Sequence, residues 1–393
     1  MERFPKKMKR KIILAITGIR SEYDIMSSVF REINKRKNLN LKLIVTGAHL
    51  KKKYGNTINE IIKDGFSITK KIDSLQMQNT LASRVIGLGI QLQKITKEIK
   101  KIFPDLIIVL GDREEAMTAA LVSSYMNIPL MHIGGGDKAV GNVDDQIRHA
   151  VSKLSHIHFV SNKESESRLL KLGEQKHRVF NVGNPGIDRL ISTKIIPLNK
   201  IEELSNFFKK KKEEYIVLIQ HPVSSEANKA SSQIKQTLEA IKKLKIKTIV
   251  IYPNSDSGSK EMIKIINQYK KFSFFKIIKN LSRESFVNIL RNATCLVGNS
   301  SCGILEAPSL NLPVINIGTR QRGRLHSNNV VFINHKSKEI YFAIKKIFDN
   351  KKYRNSLANC KKPYGDGTSS KKIVDIIQSI KINNKLLIKD ITY

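Results

Sequence analysis

Tryptophan is absent from the 393-residue chain, and aromatic residues make up only 6% of it. A platform for single-stranded nucleic acid needs aromatic faces on which bases stack. The net charge of +36 is therefore not expected to mark a nucleic-acid binder; the lysines are scattered over almost every expected helix and read as a solvated surface that also favours anionic ligands. Cysteine is scarce too. Cys295, Cys302 and Cys360 form no Cys-x-x-Cys pair and are odd in number, which argues against a disulfide framework and against a zinc site. Long apolar runs are missing: the run after the basic N-terminus covers only residues 12–16, far short of a signal-peptide core or the ~20 residues of a membrane span. No membrane partner and a cytoplasmic location are expected. Neither Gly-x-Gly-x-x-Gly nor Gly-x-x-x-x-Gly-Lys-Ser/Thr occurs, so dinucleotide cofactors and ATP-type chemistry lack their signatures.

What is present is an alternation of short apolar runs with longer amphipathic ones. Strands are expected at 11–17, 41–46, 106–110, 130–133, 156–160 and 179–182, with helices near 23–36, 80–102, 114–126, 144–154 and 163–171. The pattern repeats after residue 210, with strands at 215–219, 247–251, 274–278, 294–297 and 314–317 and helices near 227–244, 260–271, 285–292 and 303–310. Such alternation predicts an α/β fold with doubly wound parallel sheets, and the length favours two domains. They are expected at 1–195 and 196–368, with the segment 195–212, containing Pro197 and the lysines 209–212, as hinge. A last helix near 369–380 is expected to pack back towards the first domain, with a loosely packed tail from 383.

Ligands of open α/β sheets bind at the carboxyl ends of the strands, and the densest chemistry lies at one of them. The run 106–110 delivers Gly111-Asp112-Arg113, followed by Glu114, then His132-Ile-Gly-Gly-Gly-Asp137, then Asp144, Asp145, Arg148 and His149. Asp112, His132, Asp137 and His149 can be assembled on paper as metal ligands, but nothing in the spacing imposes a geometry, and no metal is expected. Arg20 in Thr17-Gly-Ile-Arg20 follows the first strand as a charge for a phosphate, and His49 ends the second. In the second half, Gly298-Asn-Ser300-Ser301 follows a strand and opens an expected helix, a ready anion site that is equally well read as an N-cap without ligand; Glu306, one turn in, suits a ribose diol. Cys302 reads as a small buried residue. His221 ends the first strand of this half and is placed to move a proton or meet a leaving phosphate; a structural histidine is the plain alternative. Asn254 could meet a nucleobase, and Arg320 offers a guanidinium to phosphate.

Taken in order, Gly18-Ile-Arg20-Ser-Glu-Tyr23, Thr46-Gly-Ala-His49, Gly111-Asp-Arg113, Asp144-Asp-Gln-Ile-Arg-His149, Gln220-His-Pro222, Gly298-Asn-Ser-Ser301, Gly318-Thr-Arg320 and Tyr364-Gly-Asp-Gly367 resemble the hydrolysing UDP-N-acetylglucosamine 2-epimerases, the sialic-acid-pathway branch of the nucleotide-sugar 2-epimerase family. The resemblance covers nearly the whole chain. It implies a GT-B architecture, two Rossmann-like domains facing an interdomain cleft, a homodimer or homotetramer, and no cofactor or metal. The implied reaction is UDP-N-acetylglucosamine plus water giving N-acetylmannosamine plus UDP, by elimination to a 2-acetamidoglucal and hydration. It assigns acid/base roles to Asp112 and Asp144, with Asp137 beside them, a leaving-group role to His221, and UDP-sugar contacts to Arg20, His49, Arg113, Asn254, Ser300, Ser301, Glu306 and Arg320. The family pattern His-Ile-Glu-Gly-Gly-Glu is here His-Ile-Gly134-Gly-Gly-Asp137; the glutamate regarded as catalytic is a glycine, which leaves the proton to Asp137, Asp112 or Asp144. The loop before Asp144 is one residue longer, closer to the branch that hydrolyses UDP-N,N'-diacetylbacillosamine for legionaminic acid, the second candidate substrate. Against these stand a GT-B glycosyltransferase, which the clustered proton carriers speak against, and a nucleotide-sugar binder without turnover.

Overall fold

The apolar runs of the first half form one parallel sheet in this computed structural model, which describes residues 10–76, 81–138, 143–209, 213–254 and 256–392. Its strands are β1 (Lys11–Thr17), β2 (Leu39–Thr46), β3 (Lys70–Ile72), β4 (Leu106–Leu110), β5 (Leu130–Ile133), β6 (Ile157–Val160) and β7 (Val179–Asn181), in the order 3-2-1-4-5-6-7. Between them run α1 (Arg20–Asn34), α2 (Ile58–Lys63), α3 (Leu81–Ile102), α4 (Glu114–Tyr125), α5 (Val143–Leu154), α6 (Lys163–Lys171) and α7 (Pro185–Ser192). The strands are continuously apolar because helices cover both faces. In β1, Ile13 and Ala15 pack with Tyr23, Met26 and Phe30 of α1, while Leu14 and Ile16 pack with Ile95 and Ile99 of α3 and Ala116 and Ala119 of α4. The expectation of a doubly wound sheet is borne out. β3 escaped the sequence reading because Lys70 and Lys71 make it look polar, as suits an edge strand. The expected helix start at Thr80, the lengthened loop at 139–142 and the lysines at 210–212 lie outside the described residues.

A second parallel sheet joins β8 (Ile216–Ile219), β9 (Thr248–Ile251), β10 (Phe275–Ile278), β11 (Cys295–Gly298), β12 (Val314–Ile317) and β13 (Val330–Ile333) in the order 10-9-8-11-12-13. Its helices are α8 (Ala230–Leu244), α9 (Ser259–Gln268), α10 (Arg283–Asn292), the single turn α11 (Cys302–Leu305), α12 (Ser337–Asp349) and α13 (Lys351–Ser356). Ile216 and Leu218 meet Ile234, Leu238 and Ile241 of α8 and Ile340 and Ile344 of α12. The helix expected over 303–310 is not continuous. α11 ends at Leu305 and a separate 3-10 turn, Ala307–Leu310, follows with Pro308 near its start; proline has no N–H for the preceding turn and its ring clashes with it. β13 and α12 are additional elements that the sequence reading did not identify.

The first unit runs to Arg189 and resumes at Tyr364, and the second is Leu190–Pro363. The division falls inside α7, earlier than the expected 195/196, because the first turns of α7 are tied to α1 and to the last long helix, α14 (Ser369–Ser379). Arg189 reaches Asp24 at 2.8 Å and Ser27 Oγ at 3.0 Å, and Asp188 accepts from the backbone N–H groups of Ser369 and Ser370, at 3.2 and 2.6 Å, capping α14.

The tail is not loosely packed. After α15 (Asn384–Leu387), Lys389 donates to the carbonyls of Ser152, Lys153 and Ser155 at 3.2, 2.8 and 2.7 Å and pairs with the buried Glu174 at 2.7 Å. Arg178 donates to the carbonyls of Lys385, Leu386 and Ile388. The last carbonyls of a helix need donors; here a distant lysine serves the end of α5 and a buried arginine the end of α15. Replacing Lys389→Met leaves Glu174 and three carbonyls short of a donor, and the unfolding free energy of the first unit is expected to fall by about 3 kcal/mol, read from chemical denaturation; a change below 1 kcal/mol would remove the tail from the list of stabilising contacts. No helix among the described residues is long and apolar enough to cross a membrane.

Candidate active site

The order 3-2-1-4 puts β1 beside β4, and the connections leave these two strands in opposite directions, so the turns after them flank a crevice at the carboxyl edge of the sheet. The turn after β4 carries Asp112 and Arg113. Asp112 is mostly enclosed and forms an ion pair with Arg148 of α5, whose other nitrogen donates to the carbonyl of Gly134 at 3.0 Å. Burial and the nearby Asp144 push the Asp112 carboxyl up, against the pull of Arg148. Asp144, in the first turn of α5, thus belongs to one electrostatic group with Asp112, and it also acts on Arg113. His149 of the same helix lies 3.8 Å from Asp145. Arg148, which the sequence offered only as a basic residue, is the hub of this group.

The glycine loop is held from below. His132, fully buried and kept neutral by that burial down to about 3, bridges the Gly111 carbonyl at 2.7 Å and Ser152 Oγ at 3.1 Å, so it joins β5 to the Asp112 turn. One oxygen of Asp137 accepts from Ser161 and Ser165, each at 2.6 Å, which anchors the loop. Gly136 is obligatory: its φ is +74° and a Cβ there would lie 2.4 Å from the Ser165 carbonyl. Gly134 differs. Its φ is also left-handed, at +76°, but a Cβ would meet Arg148 Nη1 at 3.6 Å and Asp137 Oδ2 at 3.7 Å, ordinary contacts. A side chain at 134 would therefore start towards the Asp112–Arg148 group, and the second oxygen of Asp137 is what lies there.

Arg20 opens α1 and faces Glu60 at 3.3 Å and Asp24 at 3.9 Å. Arg113 is flanked by Glu114 at 3.2 Å and Glu115 at 3.8 Å. His49, expected at the ligand, is fully enclosed: Thr17 Oγ1 lies 3.2 Å from Nε2 and Thr57 Oγ1 2.7 Å from Nδ1, and its backbone N–H donates to the Gly18 carbonyl. Burial lowers it to about 4. With both nitrogens occupied it braces the turn that carries Arg20, and that correction follows from contacts 8 and 32 residues away in the chain.

At the carboxyl edge of the second sheet, the turns after β8, β9 and β11 and the segment after β12 gather His221, Asn254, Ser300, Ser301 and Arg320. The backbone N–H of Asn254 donates to His221 Nδ1 at 3.0 Å, so the ring proton is left on Nε2. Burial, reinforced by Arg320, lowers His221 to about 4. Asn299, which the sequence passed over, is the clamp: its side-chain oxygen accepts from the His221 N–H at 2.6 Å and its amide donates to the His221 carbonyl at 2.9 Å, while its own carbonyl accepts from Arg320 and Gln321. The Asn254 side chain is turned to Asp256 at 2.6 Å. Ser300 Oγ accepts from the Cys302 thiol, and burial raises that thiol to about 12, in keeping with a small buried residue. Because α11 is one turn long, the summed dipole expected of a long helix is not available; Arg320, which donates to the Asn299 carbonyl, offers a full positive charge for an anion. Glu306 is paired with Arg283 at 2.6 Å. Among the described residues no group of His, Cys, Asp and Glu could hold a metal ion.

The family profile described as UDP-N-acetylglucosamine 2-epimerase matches residues 31–378. A UDP-N,N'-diacetylbacillosamine 2-epimerase (hydrolyzing) of Legionella pneumophila is 35% identical over 97% of this chain and 99% of its own length. A UDP-N-acetylglucosamine 2-epimerase of Neisseria meningitidis serogroup B is 34% identical over 86% of this chain and 87% of its own. Among solved structures, a UDP-GlcNAc 2-epimerase from Neisseria meningitidis bound to UDP-GlcNAc superposes with a TM-score of 0.80, 21% identity, and coverage of 94% of this chain and all of that one, so the two-sheet α/β architecture is of the GT-B type. The ordered motifs, the profile and the full-length relatives agree: this chain belongs to the UDP-N-acetylglucosamine 2-epimerase family.

Proposed function

We propose that the protein is a hydrolysing nucleotide-sugar 2-epimerase that converts UDP-N-acetylglucosamine and water to N-acetylmannosamine and UDP. The observation that carries the reading is the Asp112–Asp144–Arg148 group at the carboxyl edge of the first sheet. A base takes the C2 proton, the C1–oxygen bond breaks with its electron pair leaving on UDP, and a C1–C2 double bond forms. Water then adds its oxygen at C1 while an acid delivers a proton to C2 from the opposite face. Asp112, held above its ordinary value by burial and by Asp144, and Asp144 beside it offer the acid and base such a sequence requires. Asp137, with one oxygen beside position 134, stands where the family glutamate would extend. In the second unit the His221 Nε2–H and the Arg320 guanidinium are the donors suited to a departing diphosphate, with Ser300 and Ser301 as further contacts; Arg20 and Arg113 add charge on the first. His49 counts here as part of the frame.

A second reading keeps the mechanism and changes the sugar to UDP-N,N'-diacetylbacillosamine. It is favoured by the Legionella pneumophila relative of that name, which aligns over almost the whole chain. NMR of both nucleotide sugars in deuterated water decides between them. The expected result is UDP plus one free 2-acetamido sugar of manno configuration carrying deuterium at C2. Product without C2 deuterium sinks the elimination route; a product linked to an added acceptor points to a transferase instead.

A further inference from the structure

Behind the two turns at the β1/β4 switch point lie two carboxyls that the proposed chemistry leaves unused. Glu22, in the first turn of α1, and Glu115, in the first turn of α4, are 7% and 4% exposed, and their carboxyls converge on Gly18. Ionised carboxylates only accept, so a bond between two of them requires a proton on one. Glu22 Oε2 accepts from the Gly18 N–H at 2.9 Å. The Glu115 carboxyl occupies the place of the missing Gly18 side chain, where a Cβ would lie 1.5 Å from Oε1. Glu115 then faces Arg113, the residue after Asp112, at 3.8 Å. The chain of contacts runs from the backbone of one turn, through both acids, to the cation of the other.

We propose that Glu22 and Glu115 share a single proton and form a positioning pair that locks the turn bearing Arg20 to the turn bearing Asp112 and Arg113. One net negative charge suits Arg113, the cation facing it. Two charges would repel inside a site with little access to water, and the link would open. The groups around the pair are Arg113 and Glu114 from the β4–α4 side, the neutral His49 from the turn after β2, and Asp144 of α5 acting on Arg113; on α1 itself, Arg20 is turned to Glu60 and Asp24 to Arg189. Burial and the Glu115 charge hold Glu22 well above the usual carboxylate range, and Glu115 is raised as well. A native pKa above the unfolded one means that the stability contributed by the pair is full below the ordinary carboxyl value of about 4.3 and is lost as pH rises through the native value.

The test compares wild type with Glu22→Gln, whose amide both donates to Glu115 and accepts from Gly18 without a proton to lose. In thermal unfolding of the full chain between pH 5 and 8, the Tm difference is expected to widen in favour of Glu22→Gln by ~2–4 °C per pH unit; parallel curves overturn the proposal. An infrared band of a protonated carboxyl in wild type at neutral pH, absent from Glu22→Gln, supports it without reliance on a variant's fold alone, and no such band overturns it. The link to turnover rests on the function proposed above: Glu22→Ala lowers kcat/KM roughly tenfold, Glu22→Gln recovers most of that loss, and the alkaline fall of wild-type kcat/KM is missing from Glu22→Gln. An equal alkaline fall in both overturns the positioning role. If neither nucleotide sugar is turned over, it is the proposed function that fails, and the unfolding and infrared results still decide the shared proton.

Discussion

Asp112→Asn is expected to lower kcat for UDP-sugar hydrolysis by about 10³-fold, in the range of a lost acid/base group, with KM changed less than threefold. Asparagine keeps an oxygen for Arg148 to donate to, so the fold and the Gly134 contact survive while proton transfer does not. Asp144→Asn is the comparison. If the two carboxyls divide the acid and base roles, both variants lose turnover. Burial and the neighbouring Asp144 hold the Asp112 carboxyl above its ordinary value against the pull of Arg148, which suits the acid of the pair. UDP release followed continuously, with Tm as a control, reads both. Wild-type turnover in either variant removes that residue from the mechanism.

His221→Asn is expected to cost about 10²- to 10³-fold in kcat, the scale of one missing donor to a developing anion. The argument rests on the tautomer. With Asn254 donating to Nδ1, the ring presents Nε2–H, and a neutral imidazole acts as a hydrogen-bond donor to the departing diphosphate. Held neutral down to about 4 by burial and Arg320, the free enzyme's His221 should produce no inflection in kcat/KM between pH 5 and 8. The shorter asparagine can still accept from the Asn254 N–H where Nδ1 did, but it carries no donor out to the Nε2 position that faces the phosphate. A variant with kcat within threefold of wild type would leave His221 as a purely structural strand end, the plain reading of a lone histidine.

Much of the fold is legible because it is local. Runs such as Leu106–Leu110 and Ile216–Ile219 are apolar throughout and bounded by polar turns, and those turns place Asp112 and His221 at strand ends whatever the packing. Where local rules compete, reading falters: Pro308 splits an expected helix, and the charged edge of β3 hides a strand. The partners are not legible at all. Arg148 meets Asp112 across 36 residues, Arg283 meets Glu306 across 23, and Lys389 reaches the end of α5 across more than 230; no local periodicity encodes such pairings.

The chain's own order of residues was sufficient for the alternating α/β plan, for the strand-end placement of Asp112, His221 and Ser300, and for the family to which those motifs belong, since each depends on hydrophobic pattern and turn chemistry over a few residues. Tertiary structure alone decided what each polar group is free to do. It enclosed His49 between two threonines, tied one oxygen of Asp137 to two serines, set the tautomer of His221 through a backbone amide, and brought Glu22 against Glu115. Proton affinity depends on desolvation and on the nearest charges, and both are properties of the packed interior that a linear pattern does not contain.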